Sequence, residues 1–402
     1  MKFAKILIFV LGLLNISCNK NNQPNDPGSI TEIYPKKIWS VVTPAATKIG
    51  LSHTEPIIYK DLVVIDQETS DSVSNYQYIW AYDRLTGEKK WDVQYKGISP
   101  FMDSYSYNNI AVYSSGAIIS AINLDNGHKL WTKNNSGYAA LNGFKNSLLH
   151  TQDYSTVGGP WADSSSVFIT DILSGKSQKV FTVKRKGTFC PGMAIPTLWF
   201  NEMRDSILFF QDRGIHDAAG FKQRVDLYSY NINKKKMEWK IDSIEDNSSI
   251  VSNATIYNGK LYFCGMKYIY CLNPSTGALI WKWKSTEQNA SMPTGKWFFE
   301  GNKIIVKPLC GITYALNTDS GSVLWTNRQS FGTDARNMVV YKKRLYQSNW
   351  GDGLINILDI DTGIESNKLK VASANAIAID QSNGYLYFHD YVRLNCYKVA
   401  KE

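Results

Sequence analysis

Histidine and cysteine are scarce in this chain, five and six among 402 residues. The histidines (His53, His128, His150, His216 and His389) are scattered without the spacing of metal ligands. No Gly-rich phosphate loop occurs, and serine-rich stretches such as Ser164–Ser166 lack a nucleophile-elbow context. No stretch has a convincing helical period. Long apolar runs are missing too: the longest, Ile6–Leu14, is far short of the ~20 residues of a membrane-spanning helix. These absences count against a metal site, a phosphate-binding enzyme, a helical fold and a transmembrane anchor.

What is plentiful is strand-forming material, with aromatic residues at 13% of the chain and abundant Val and Ile. It is organised around the block AYDRLTGEKKW (Ala81–Trp91), an alternating apolar run, a tight turn and a second strand carrying Trp. The block recurs as AINLDNGHKLW (Ala121–Trp131), YCLNPSTGALIW (Tyr270–Trp281) and YALNTDSGSVLW (Tyr314–Trp325). Weaker copies run Thr170–Phe181, Tyr228–Trp239 and Asn356–Asn367. Four residues before each glycine position stands Asp or Asn: Asp83, Asn123, Asp171, Asn231, Asn273, Asn317 and Asp359. A short carboxylate or amide there can cap the turn by bonding the backbone two residues on, and this reading displaces one of catalytic acids or metal ligands. Gly87, Gly127, Gly175, Gly277, Gly321 and Gly363 supply the left-handed residue such a turn needs, whereas Lys235 in the fourth copy predicts a strained or differently shaped turn.

The glycine positions are spaced 40, 48, 60, 42, 44 and 42 residues apart, the length of four short strands. The expected fold is all-β: a propeller of four-stranded antiparallel blades over residues 34–402. Ile250–Lys284 shows one whole unit, with SNATIY, KLYFCG, KYIYCLN and ALIWKWK as strands A to D. After the seventh copy Ala374–Ile379, Tyr385–His389 and Arg393–Val399 supply three more strands, and Lys36–Val41 near the N-terminus, carrying Trp39, supplies the fourth. That makes eight blades, the last closed by the N-terminal strand, which removes open sheet edges.

The first 17 residues read as an export signal, with Lys2 and Lys5 before the apolar run and Ser17 before Cys18. Ser17-Cys18 resembles a bacterial lipobox, which implies cleavage and lipidation at Cys18. Residues 18–33 then form the lipidated cysteine and a polar, flexible tether.

The repeat A-x-D-x-x-T-G-x-x-x-W resembles the pyrroloquinoline-quinone-type (PQQ-like) β-propeller repeat over nearly the whole mature chain. The resemblance implies that Trp39, Trp91, Trp131, Trp239, Trp281 and Trp325 pack between neighbouring blades against the repeat glycines. Lys179 and Asn367 stand at that position in the third and seventh copies, so blade packing is expected to be weakest there. In quinoprotein dehydrogenases the same propeller holds PQQ and calcium beneath a vicinal cysteine pair. This chain has no Cys-Cys pair and no C-x-x-C-H haem signature. The expectation is therefore no catalysis, no cofactor and no metal. A lipid-anchored eight-bladed propeller is similar in architecture to the BamB family, lipoprotein subunits of the outer-membrane barrel-assembly machinery. That likeness implies a scaffold in an envelope complex, with another envelope protein as partner.

Net charge is +9, or +7 without Lys2 and Lys5, and its dispersal together with the export signal excludes a nucleic-acid partner. Working surface is expected where insertions gather. Asp66–Asn75, Gln152–Ser165 and Asp212–Arg224 all fall between strands B and C and so crowd one face. They carry Trp161, Arg213, His216 and Phe221, joined by Trp350, and this composition suits a protein-interface anchor. Glycan binding by exposed aromatics is the alternative reading, and a PQQ-dependent dehydrogenase the third. Cys264 and Cys271 flank a short hairpin and are expected across from one another, as thiols rather than a bridge.

Overall fold

The computed structural model describes residues 34–43, 54–70, 75–96, 101–115, 118–134, 141–154, 162–187, 190–212, 224–246, 254–287, 297–308, 310–328, 338–349, 353–371, 374, 376–390 and 392–400. Its strands form eight four-stranded antiparallel sheets, the blades of a propeller. The N-terminal strand β1 (Lys36–Val42) belongs to the last of them. Blade one is β2 (Ile57–Tyr59), β3 (Leu62–Ser70), β4 (Asn75–Asp83) and β5 (Lys89–Lys96). Blade two is β6 (Asp103–Tyr107), β7 (Ile110–Ser114), β8 (Ile118–Asn123) and β9 (Lys129–Asn134). In blade three come β10 (Asn142–Phe144), β11 (Ser147–Tyr154), β12 (Ser164–Asp171) and β13 (Ser177–Lys184). Blade four holds β14 (Met193–Phe200), β15 (Ser206–Asp212), β16 (Arg224–Asn231) and β17 (Lys236–Asp246). β18 (Thr255–Tyr257), β19 (Lys260–Cys264), β20 (Ile269–Leu272) and β21 (Leu279–Trp283) build blade five. β22 (Phe298–Glu300), β23 (Lys303–Val306), β24 (Ile312–Asn317) and β25 (Val323–Arg328) build blade six. Blade seven is β26 (Met338–Tyr341), β27 (Arg344–Asn349), β28 (Leu354–Asp359) and β29 (Glu365–Lys370). Blade eight is β30 (Ile377–Ile379), β31 (Tyr385–His389) and β32 (Arg393–Lys398), with β1 as its outer strand.

The ring closes as the sequence predicts. β1 pairs antiparallel with β32, with a bulge between Lys37 and Trp39. Side chains reinforce the seam: Ser40 Oγ donates to Asn395 Oδ1 at 2.8 Å, and Thr43 N donates to the Val392 carbonyl at 2.9 Å. Arg84 of blade one pairs with Asp380 of blade eight.

Between successive blades lie eight separate apolar clusters, one per junction. Their shared fastener explains the repeat. The Trp of one blade's outer strand lies over the turn glycine of the next: Trp39 on Gly87, Trp91 on Gly127, Trp131 on Gly175, Trp239 on Gly277, Trp281 on Gly321 and Trp325 on Gly363. At Gly363 an added Cβ would sit 2.4 Å from the Trp325 ring, and its φ of +71° is left-handed, so only glycine fits. In all six pairs the indole N–H donates to the carbonyl just after the capping Asp or Asn, at 2.8–3.2 Å. The caps themselves close the turn: Asp359 Oδ1 accepts from the backbone of Asp361 at 3.0 Å and Thr362 at 2.8 Å. Four of the six Trp are only partly buried, and Trp281 and Trp325 are buried.

Two junctions are built otherwise. Between blades three and four Lys179 and Lys235 replace Trp and Gly together; with no ring to accommodate, the glycine is dispensable, and Lys235 still adopts the left-handed turn (φ 53°). The bulge in this outer strand lies two residues further from the turn, so Phe181, rather than Lys179, enters the junction. Its ring centroid lies 4.9 Å from Phe210 and 4.8 Å from Tyr230. Between blades seven and eight no Trp is present, because blade eight has no turn joining its third strand to its outer one: those strands come from the two ends of the chain. Asn367 there donates to the Tyr34 carbonyl at 3.0 Å, and Leu369, Tyr341, Ile379 and Leu386 fill the gap.

In two further places the structure departs from the sequence expectation. Asp66–Asn75 is not an inserted loop: Asp66–Ser70 is strand, paired as far as Ser70 with Asn75. Cys264 and Cys271 are not cross-strand partners, since Cys264 pairs with Ile269 and Cys271 with Tyr262. Both are thiols, and burial pushes that of Cys271 up to about 11.

Candidate interaction face

Strands B and C meet at one face of every blade, and there the long connections gather. The β11–β12 hairpin keeps its register out to Tyr154 and Ser164. Asp163 N donates to the Tyr154 carbonyl at 2.8 Å, and Arg185 N to the Asp163 carbonyl at 2.7 Å, so three chain segments are tied at the root of this connection. Tyr154, at its rim, is 63% exposed. The β15–β16 connection leaves from Asp212 and returns at Arg224, and the β27–β28 connection leaves from Asn349 and returns at Leu354. Trp161, Arg213, His216, Phe221 and Trp350 belong to these connections and lie outside the described residues, as do residues 155–160 and Cys18. What the structure supplies is the base from which they spring.

That base is polar, unlike the apolar ends of the same strands. Asp66, Gln67, Gln77, Gln211, Asp212, Asp226 and Gln347 are all fully buried near this face. Asp66 accepts from Thr54 N at 3.1 Å and Thr54 Oγ1 at 2.7 Å. The amides of Gln67 and Gln77 find no partner among the described residues, a costly arrangement for buried groups.

Asp212 and Asp226 are directly opposite across β15 and β16, at the root of the longest B–C connection. Asp226 is well compensated: Arg224 Nε lies at 2.9 Å, Lys240 Nζ at 3.3 Å, and Ser243 N donates to it at 2.9 Å. Asp212 accepts only from Gly192 N at 2.9 Å, and its second oxygen is unpartnered among the described residues. Burial above all, with the Asp226 charge adding to it, pushes its carboxyl up to about 7.

Two of the described histidines are buried as well. His150 Nε2 is 2.9 Å from Thr170 Oγ1 and its ring stacks on Phe168; His389 Nε2 is 3.1 Å from Thr43 Oγ1. Each has an Nδ1 with no partner among the described residues. Burial lowers both to about 4, so they are neutral at physiological pH. Among the described residues no three His, Cys, Asp or Glu are grouped to hold a metal ion.

No curated protein sequence matches the chain. A family model described as "Outer membrane protein assembly factor BamB" matches residues 218–392, from the fourth blade into the eighth. Among solved structures, BamB from Moraxella catarrhalis superposes with a TM-score of 0.59 at 14% identity, covering 92% of this chain and 99% of that one. A europium-containing methanol dehydrogenase gives 0.62 at 12% identity, covering 88% and 84%. Saccharomyces cerevisiae Sqt1 gives 0.65 at 8%, covering 92% and 100%. The chain shares the propeller fold of these structures. These propellers include an enzyme as well as an assembly factor, so the ring alone does not decide between catalysis and binding. The B–C face bears on that choice: it brings together long paired hairpins and a buried polar base. Sequence reasoning missed that base because Asp66-Gln67 and Gln211-Asp212 are polar pairs that end apolar runs and so read as the start of surface loops.

Proposed function

We propose that the protein is a non-catalytic propeller held to a bacterial envelope membrane through lipidated Cys18, where it acts as a protein-interaction scaffold. The match of residues 218–392 to the BamB description carries this reading. Three of its supports are local: an export signal ending at Ser17-Cys18, a polar tether, and long B–C connections rooted in paired hairpins on one face. On this reading residues 1–17 are the cleaved signal, and Trp161, Arg213, His216, Phe221 and Trp350 anchor another envelope protein. No cofactor, metal or nucleic acid takes part.

The test joins anchoring to partner capture. Crosslinked membranes carrying wild-type protein are compared with those carrying Cys18→Ser and the double change Trp161→Ala with Phe221→Ala. Cys18→Ser is expected to move the protein into the soluble envelope fraction. The double change is expected to leave it membrane-bound but stripped of its crosslinked partner. A Cys18→Ser protein that stays in the membrane, and a wild type with no added lipid mass, would refute the anchor. Retention of the partner by the double variant would move the interface elsewhere.

A further inference from the structure

Closure by β1 covers the free edge of β32, yet among the described residues the outer strand of each of the eight blades is hydrogen-bonded on one side only. Such edges invite pairing with another chain unless charge blocks it. The two residues before the outer-strand Trp are where that block is placed. They are Lys37 and Ile38 in β1, Lys89 and Lys90 in β5, Lys129 and Leu130 in β9, and Met237 and Glu238 in β17. Blades five and six break the rule. Leu279 and Ile280 open β21, Val323 and Leu324 open β25, and all four are 44–53% exposed.

β21 and β25 differ beyond their Trp. Lys282 and Lys284 lie over the ring of Tyr268, at 5.0 and 5.9 Å, and neither has a carboxylate partner among the described residues. Arg328 at the end of β25, by contrast, is paired with Glu287 at 2.7 Å. The outer edge of β21, with Lys284 just past its end, therefore reads aliphatic, then basic, along a ladder with no partner among the described residues. A lipid surface would suit the side chains but would leave the open N–H and C=O groups unsatisfied. A strand satisfies both.

We propose that the outer edge of β21 is a docking site for an extended segment of a partner protein, aliphatic where it passes Leu279 and Ile280 and acidic where it passes Lys282 and Lys284. Backbone hydrogen bonds would supply the pairing and the side chains the register. This surface is separate from the B–C face and does not depend on the envelope reading.

The probe is a fluorescein-labelled octapeptide of sequence TVTVTETE, titrated against the whole mature protein by fluorescence polarisation. Saturable binding is expected. Leu279→Lys with Ile280→Lys should weaken it at least about tenfold while leaving the thermal melt unchanged, since both side chains are exposed. Lys282→Glu with Lys284→Glu should exchange the preference, so that TVTVTKTK binds better than TVTVTETE. A peptide N-methylated at alternate residues, on its pairing edge, should not bind. The proposal is overturned if the N-methylated peptide binds as well as its parent, or if the Leu279→Lys, Ile280→Lys protein binds like wild type. It is equally overturned if the peptide never binds while wild type, and not that variant, floats with phosphatidylglycerol vesicles.

Discussion

At the scale of single residues, the repeat is a set of paired steric requirements. A turn glycine is needed because an indole occupies the space of its Cβ. Trp281→Ala removes a buried ring and its hydrogen bond to the Thr318 carbonyl, so it is expected to cost ~3–5 kcal/mol in denaturant unfolding. A loss below about 1 kcal/mol would show that the ring is not carrying the junction. Lys235 offers the converse. It takes a left-handed backbone with no ring to accommodate, so Lys235→Gly is expected to stabilise by roughly 0.5–1 kcal/mol.

The buried titratable groups set opposite limits. His150 and His389 are held near 4, below the 6.5 of the unfolded chain, so the unfolded state binds more protons between those values. Stability is therefore lost as pH falls from about 6.5 toward 4. Asp212 is raised to about 7, so its contribution is lost as pH climbs from about 4 through 7. Asp212→Asn should raise the melting temperature at pH 8 more than at pH 5, and His389→Gln should flatten the acid limb; parallel pH profiles for variants and wild type would contradict both assignments.

At the scale of strands and turns, periodicity is a faithful guide and polarity a poor one. The Asp/Asn–Gly turns and the eighth blade's split origin are legible because turn chemistry and Trp recur at fixed offsets. Asp66–Ser70 (DQETS) reads as a loop because it is polar, yet it is the outer part of a long hairpin with every residue paired. Counting from Gly175 selects Lys179, but the bulge moves by two residues and delivers Phe181 instead; spacing cannot register a shifted bulge. The candidate interface is legible only as loop length and composition. Register also refines the loop experiment: Gln152–Tyr154 and Ser164–Ser165 are paired strand, so a deletion must stay within 155–162. Replacing those residues by a short turn is expected to keep the melting temperature within about 2–4 °C, corresponding to a change near 1 kcal/mol. A larger drop would make the segment part of the core.

At the scale of the whole ring, the joints without the indole–glycine fastener fall between blades three and four and between blades seven and eight. Counting around eight joints, these two are four apart, on opposite sides. What remains is two half-rings, blades eight to three and blades four to seven, each held internally by three identical fasteners. A hoop with two unlike joints on one diameter bends most easily across that diameter, as a book opens along its spine. Slow amide exchange should therefore be uniform within each half and fastest at the strands flanking the two odd joints, β13 with β15 and β29 with β31. The long B–C hairpins of blades three and four, rooted at Tyr154 and Asp212, stand on either side of one such spine, so a protein gripping both would feel the two halves as separate handles.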